Sequence, residues 1–161
     1  MTCIIAPNIN RQLVTGFTYA VMCQFVTATF TQADRKGNRN KTPLGHAGLK
    51  CKYCEGKETR TGRYFPSSLK TFADPMKTIL PMNRHLILCP QCPEDMKSLI
   101  SRLHDRHVVE SKVKCTRRHR GGRMSFYRRI WTSLHADASS SKQKQHQYQQ
   151  RHQSTSRAVE K

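Results

Sequence analysis

The clearest periodic pattern of apolar residues begins just after Pro93. Side chains recur there at helical spacing and form one stripe, made of Met96, Leu99, Ile100, Leu103 and His107. Proline suits the first position of a helix, and the acidic pair Glu94 and Asp95 suits the positive end of the helix dipole. The pattern therefore predicts an amphipathic helix that starts near Glu94 and packs one face against a core.

A second amphipathic stretch follows the break at Gly121 and Gly122. Its apolar stripe consists of Met124, Tyr127, Ile130, Trp131 and Leu134. Three arginines, Arg123, Arg128 and Arg129, fall outside this stripe and are predicted to face away from the core. We expect the two stripes to pack together, since each helix needs a partner for its apolar face.

Short helical pieces are predicted between residues 69 and 92. Apolar residues recur at roughly helical spacing from Leu69 to Leu80, but Pro75 must end or kink any helix that includes it. Pro81 suits the first turn of a further short helix. In that helix His85 and Cys89 would lie four residues apart and therefore on one face.

Residues 1–48 have a different composition from the rest of the chain. The stretch from Leu13 to Phe30 is fairly apolar, but threonines and Gln24 interrupt it, so it does not predict a membrane span. A polar Gly/Asn/Lys linker covers residues 34–48. We predict a poorly ordered leader and linker over residues 1–48, with a weak signal or transit peptide as the alternative reading of this segment.

The cysteines change this picture. Four of the seven lie in two pairs, Cys51 with Cys54 and Cys89 with Cys92, each with two residues between the partners. Such a pair lets two thiolates hold one zinc ion while the backbone turns between them. The odd total and this spacing favour metal ligation over a disulfide framework, and therefore reducing, intracellular conditions.

Two sets of zinc ligands are compatible with the spacing. The first is the four-thiolate set Cys51, Cys54, Cys89 and Cys92, although its spacer is longer than the usual one of about 15–20 residues. The second set replaces Cys92 by His85. In this set Cys51 and Cys54 supply two ligands, and the His-x3-Cys pair His85 and Cys89, on a helix, supplies the other two. The sequence pattern alone does not decide between the two ligand sets.

One family resembles this arrangement. The pattern Cys51-x2-Cys54, followed by residues 85–93 (HLILCPQCP) and a helix, resembles a BED-type zinc finger with three cysteines and one histidine, the DNA-binding module of transposases and related chromatin proteins. It is still more similar to a BED-like finger of predicted diatom proteins, in which stretches like RYFP (63–66) and SFYRRIW (125–131) recur. The resemblance covers residues 49–135.

What the resemblance implies is a zinc ligand set of Cys51, Cys54, His85 and Cys89, together with DNA binding. This chain departs from the BED pattern in its long spacer and in lacking the aromatic pair that usually precedes the first two cysteines.

The chain is strongly basic, with a formal net charge of +19 and a pI near 10.2, which favours a polyanionic partner. The densest basic run contains no acidic residue and comprises Lys112, Lys114, Arg117, Arg118, Arg120, Arg123, Arg128 and Arg129. We predict that this run binds nucleic acid, DNA in preference to RNA, and directs the protein to the nucleus. Phe126, Tyr127 and Trp131 are predicted either to stack on bases or to pack in the core.

These patterns predict a small α+β or mostly helical zinc-stabilised domain with disordered termini. Residues 49–110 would form a zinc-finger-like domain, residues 111–137 a basic segment with the second amphipathic helix, and residues 138–161 a disordered Ser/Gln/Lys/His tail. The predicted function is zinc-dependent nucleic-acid binding, with a role in transcription or transposition. The alternative is a zinc-stabilised protein interaction module that binds acidic partners.

No enzymatic activity, membrane partner or small-molecule substrate is predicted. The acidic residue next to a histidine that a His-Asn-His nuclease needs before the second cysteine pair is missing, and so is the His-x-Glu of a zinc deaminase. Four protein ligands would also leave no open position on the metal.

Overall fold

The structure, a computed structural model, describes residues 11–35, 37–54, 62–113 and 121–136. Within these ranges the chain forms five α-helices and a three-stranded antiparallel sheet. The helices are α1 (Gly16–Met22), α2 (Leu69–Phe72), α3 (Ile79–Leu88), α4 (Glu94–Val113) and α5 (residues 121–136). The strands are β1 (Phe25–Thr29), β2 (Ala47–Cys51) and β3 (Arg63–Tyr64).

This architecture confirms the predicted small α+β class. Short 3-10 turns at Arg11–Leu13, Gln32–Asp34, Gly37–Lys41 and Lys52–Cys54 connect the elements. The predicted disorder of the last segment, residues 138–161, concerns residues outside those described.

The sheet has β2 at its centre, with β1 and β3 antiparallel on either side. Phe25 at the start of β1 lies opposite Cys51 at the end of β2, and Leu49 lies opposite Tyr64. The side chains of Phe25, Leu49 and Cys51 are completely buried. The sheet therefore places the first predicted metal ligand, Cys51, within the hydrophobic core.

The prediction that residues 1–48 are poorly ordered is wrong for the part of this segment that the structure describes. Thr15 caps α1, its hydroxyl accepting a hydrogen bond from the backbone N–H of Thr18. Phe17, Val21 and Phe25 are buried in the core. Of the threonines in this apolar stretch, Thr15 caps α1 and Thr18 lies within that helix, while Thr27 and Thr29 are exposed on β1. The apolar residues between them therefore still share a buried side.

The predicted domain boundary at residue 49 also fails, since it falls inside β2. This strand pairs along its whole length with β1, so residues before and after the boundary belong to one sheet. Residues 49–110 consequently do not form a unit separate from the segment before them.

Helix α4 confirms the predicted amphipathic helix after Pro93. It packs against α1 and α3, with Ile100 completely buried. The ring of His107 stacks on Phe17 of α1, with 5.3 Å between the ring centroids. Helix α3 likewise confirms the predicted short helix, and Pro81 is its third residue.

Helix α5 confirms the second amphipathic helix. Tyr127, Ile130 and Leu134 of the predicted stripe are buried. The ring of Phe72, the last residue of α2, meets Tyr127 edge-on with 5.1 Å between the centroids. Helix α2 is therefore a packing partner of the apolar face of α5.

A partly buried ion pair joins the loop after β1 to β3. Arg63 donates two hydrogen bonds to the Asp34 carboxylate, from Nε at 2.7 Å and from Nη2 at 3.0 Å. Burial alone would raise the pKa of Asp34, but hydrogen bonds from Arg63 and Thr31 hold that pKa below its ordinary value. The pair fixes Arg63 immediately beside Gly62, which borders the site described below.

Replacing Asp34 by Asn should lower the free energy of unfolding by about 2 kcal/mol, because the Arg63 guanidinium loses its charged partner. Chemical denaturation at neutral pH measures this loss. Since the folded-state pKa of Asp34 is lowered, its stabilising contribution is complete at neutral pH and disappears as the pH falls below the ordinary Asp range.

Asp105→Asn is the matched control, because the Asp105 side chain is 85% exposed. We expect it to change the free energy of unfolding by less than about 0.5 kcal/mol. Equal losses in the two variants would contradict a structural role for the Asp34–Arg63 pair.

Candidate metal centre

Four predicted ligands converge where the end of β2 meets α3. Cys51 ends β2, Cys54 ends the following 3-10 turn, His85 lies on α3, and Cys89 is the residue after this helix. Their ligand atoms all lie within 4.8 Å of one another. The group could hold a metal ion.

The separations within the group suit zinc. Cys54 Sγ lies 3.4 Å from His85 Nε2 and 3.5 Å from Cys89 Sγ. Zinc–sulfur bonds of about 2.3 Å in a tetrahedron place two sulfur atoms about 3.8 Å apart. These two separations are within a few tenths of an ångström of those in a tetrahedral zinc site, and three thiolates with one imidazole are a normal donor set for zinc.

Gln24, which lies between α1 and β1, holds the turn that carries Cys54. Its carbonyl accepts a hydrogen bond from the backbone N–H of Lys52 at 3.0 Å, and its side-chain oxygen accepts one from the Tyr53 hydroxyl at 2.7 Å. The Gln24 side chain is completely buried and also donates to the carbonyl of Ala20. Sequence reasoning missed this residue, since it appeared only as a polar interruption in an apolar stretch.

Gly62 supports the ligands from the other side. Its carbonyl accepts a hydrogen bond from the Cys51 N–H at 2.8 Å. Its φ angle is +81°, and a Cβ atom placed there would lie only 2.5 Å from Nε2 of His85. The side chain of any larger residue at position 62 would therefore collide with the His85 imidazole. In the sequence, the only possible signal for this supporting role is that residue 62 is a glycine.

Burial sets the protonation of the group. Burial raises the pKa of the Cys51 thiol, and it raises the pKa of Cys54 to about 12, while it lowers the pKa of His85. At neutral pH His85 is therefore uncharged, which is the form that binds a metal. The thiols of Cys51 and Cys54 must lose their protons to the solvent when they bind a metal ion, so metal affinity should fall with decreasing pH.

Cys92 lies outside the group of four. It is buried, and its thiol donates a weak hydrogen bond to the carbonyl of Pro93 at 3.9 Å. Burial also raises its pKa. Of the two ligand sets that the sequence allows, the structure brings together the one that contains His85.

The predicted nucleic-acid-binding residues are only partly described. Arg123, Arg128 and Arg129 are exposed on α5, which contains no acidic residue. Lys112 lies in the last turn of α4. The other predicted residues, Lys114, Arg117, Arg118 and Arg120, fall outside the described ranges. The three arginines of α5 therefore form the described part of the predicted basic surface.

The aromatic residues of α5 are used for packing. Phe126 and Tyr127 are completely buried, and Trp131 stacks on His135 with 4.0 Å between the ring centroids. In the parts of the chain that the structure describes, none of the exposed large apolar side chains is aromatic. The packing role is confirmed, and the proposed stacking of Phe126 and Tyr127 on bases is wrong for this conformation.

Comparisons with known proteins give no match from any protein-family model, curated protein or solved structure. The resemblance to a BED-type finger accordingly stays a prediction that rests on the motifs alone. No helix in the described ranges has the length and apolar character needed to cross a membrane.

Gly62→Ala should abolish tight zinc binding, because the new Cβ would collide with His85 at its ligating nitrogen. Zinc content measured by native mass spectrometry tests this expectation. Gly45→Ala is the matched control, since Gly45 also has a φ of +81° but a Cβ there would meet nothing within 4 Å.

The control should lose stability through backbone strain alone, by about 1–2 kcal/mol, and should keep its zinc. Equal zinc content in the Gly62→Ala and Gly45→Ala proteins would contradict the role assigned to Gly62.

Proposed function

We propose that this chain is a zinc-held nucleic-acid-binding protein of the nucleus that prefers DNA to RNA. The observation that carries the proposal is the exposed face of α5, where Arg123, Arg128 and Arg129 project from a helix without acidic residues. That helix is mounted on a small domain whose Cys/His group could hold zinc. The resemblance to BED-type fingers supports a role in transcription or transposition.

Zinc in this proposal has a structural role. Three thiolates and one imidazole fill a tetrahedral coordination sphere, and no position remains for a substrate or a reactive water. Structural zinc binding contributes on the order of 10–16 kcal/mol at neutral pH, which is folding energy for a chain with a small core. We therefore assign no catalytic role to the group.

Nucleic acid would be bound through its phosphates. The arginines of α5 can form paired hydrogen bonds with phosphate oxygens, and the net charge of +19 would draw a polyanion toward the protein. Phe126 and Tyr127 would not stack on bases, because both rings are buried. This mode of binding predicts strong salt dependence and weak sequence preference.

The test is fluorescence anisotropy with a short DNA duplex and an RNA duplex of the same sequence over a range of salt concentrations. Replacing Arg123, Arg128 and Arg129 by Ala should weaken DNA binding and flatten the slope of log K against log salt by about 2 to 3, since each lost phosphate contact removes about 0.9. The parent should bind the DNA duplex more tightly than the RNA duplex.

A charge-matched control replaces Lys41, Lys77 and Arg102, three exposed cations on other elements, by Ala. It should reduce the slope much less than the α5 variant does. Equal effects would contradict a specific role for α5. Absence of binding to either nucleic acid at low salt would overturn the proposal and favour an acidic protein as the partner.

A further inference from the structure

Two cysteines of the metal group lie close enough to react with each other. Cys54 Sγ and Cys89 Sγ are 3.5 Å apart and belong to different elements, the turn after β2 and the end of α3. A disulfide bond of about 2.05 Å requires the sulfur atoms to approach by about 1.5 Å. A change of side-chain rotamers with a small backbone shift can supply that movement.

Cys54 is also the more accessible partner. Its side chain is partly exposed, whereas Cys51 and Cys89 are buried. A small oxidant arriving from solvent therefore meets Cys54 first. Reversible oxidation of cysteine follows thiolate character and exposure, and a neighbouring thiol that can resolve the first product completes such a site.

We propose that Cys54 and Cys89 form an oxidation site through which a hydroperoxide releases the metal. The proposal rests on the zinc site proposed above and adds its regulation by oxidation. Cys54 is the residue attacked first, and Cys89 is the resolving residue. The product is a disulfide bond between the 3-10 turn that follows β2 and the end of α3.

The chemistry balances with hydrogen peroxide as the oxidant. Bound zinc would hold Cys54 as a thiolate in the loaded chain. That thiolate attacks one peroxide oxygen, the O–O bond breaks, and the departing oxygen takes up a proton and leaves as water. The Cys89 thiolate then attacks Sγ of the Cys54 sulfenic acid, and the displaced hydroxide is protonated to a second water. Two electrons pass from the two sulfur atoms to the peroxide.

Loss of the metal follows from the loss of ligands. Cys51 and His85 alone remain to bind zinc, and two ligands hold the ion far more weakly than four. The disulfide would still join the turn after β2 to α3 at the point where zinc joined them. The oxidised chain should therefore lose its metal and part of its stability, because a disulfide contributes only about 2–4 kcal/mol. A thiol reductant with added zinc should restore the starting state.

The other described cysteines serve as internal controls. Cys92 is buried and lies outside the metal group, and Cys23 is buried in the core beside α1. Neither is predicted to take part in the first oxidation step. Cys92→Ser and Cys23→Ser should each release zinc on oxidation as readily as the parent does.

The experiment treats the full zinc-loaded chain with hydrogen peroxide. Zinc release is followed with a chromophoric chelator, circular dichroism reports the fold, and the disulfide is located by mass spectrometry of peptides under non-reducing conditions. We expect complete loss of zinc, a Cys54–Cys89 disulfide, and recovery of the zinc content and of the circular dichroism spectrum after treatment with dithiothreitol and zinc.

Three results would overturn this proposal alone: zinc retained after oxidation, a disulfide that pairs Cys54 with Cys51 or involves Cys92, or irreversible oxidation of Cys54 without a disulfide. Absence of zinc from the untreated folded parent would instead overturn the zinc site, and this proposal with it. The two failures are therefore distinguishable in one series of samples.

Discussion

The convergence of Cys51, Cys54, His85 and Cys89 is the constraint on which the rest of the structure depends, because it joins the sheet to α3 in a chain of low apolar content. Without a metal, the buried thiol of Cys51, the partly buried thiol of Cys54 and the partly buried imidazole of His85 are polar groups that stabilise this junction little. A metal ion turns the same groups into a strong cross-link. Gln24 and Gly62 hold the ligands in place, so the site is built partly from residues far from it in the sequence.

The arginines of α5 and the Cys/His group lie on different elements of the domain. The metal group lies at the end of β2, while the arginines project from α5, which packs on Phe72 of α2. The apolar stripe of α5 anchors the helix, and this packing orients its arginines outward. In this account zinc gives the domain its shape and α5 gives it its electrostatic surface.

The helices and the metal ligands could be predicted from the sequence because each follows a local pattern of residues. The stripes from Met96 to His107 and from Met124 to Leu134 are long enough to show helical period, and the four ligands follow a spacing that zinc chemistry demands. The order of residues 11–35 and 37–48 was not predictable in this way, because β1 is short and its pairing with β2 spans a polar linker. The supporting roles of Gln24 and Gly62 arise from tertiary contacts and leave no local signal.

The most direct test of the metal centre is native mass spectrometry of the parent, His85→Ala and Cys92→Ser proteins, all purified without chelator. We expect one tightly bound zinc ion in the parent and in Cys92→Ser, and none in His85→Ala, because His85 belongs to the group of four and Cys92 does not. Zinc retained by His85→Ala but lost from Cys92→Ser, or a folded parent without zinc, would contradict this expectation.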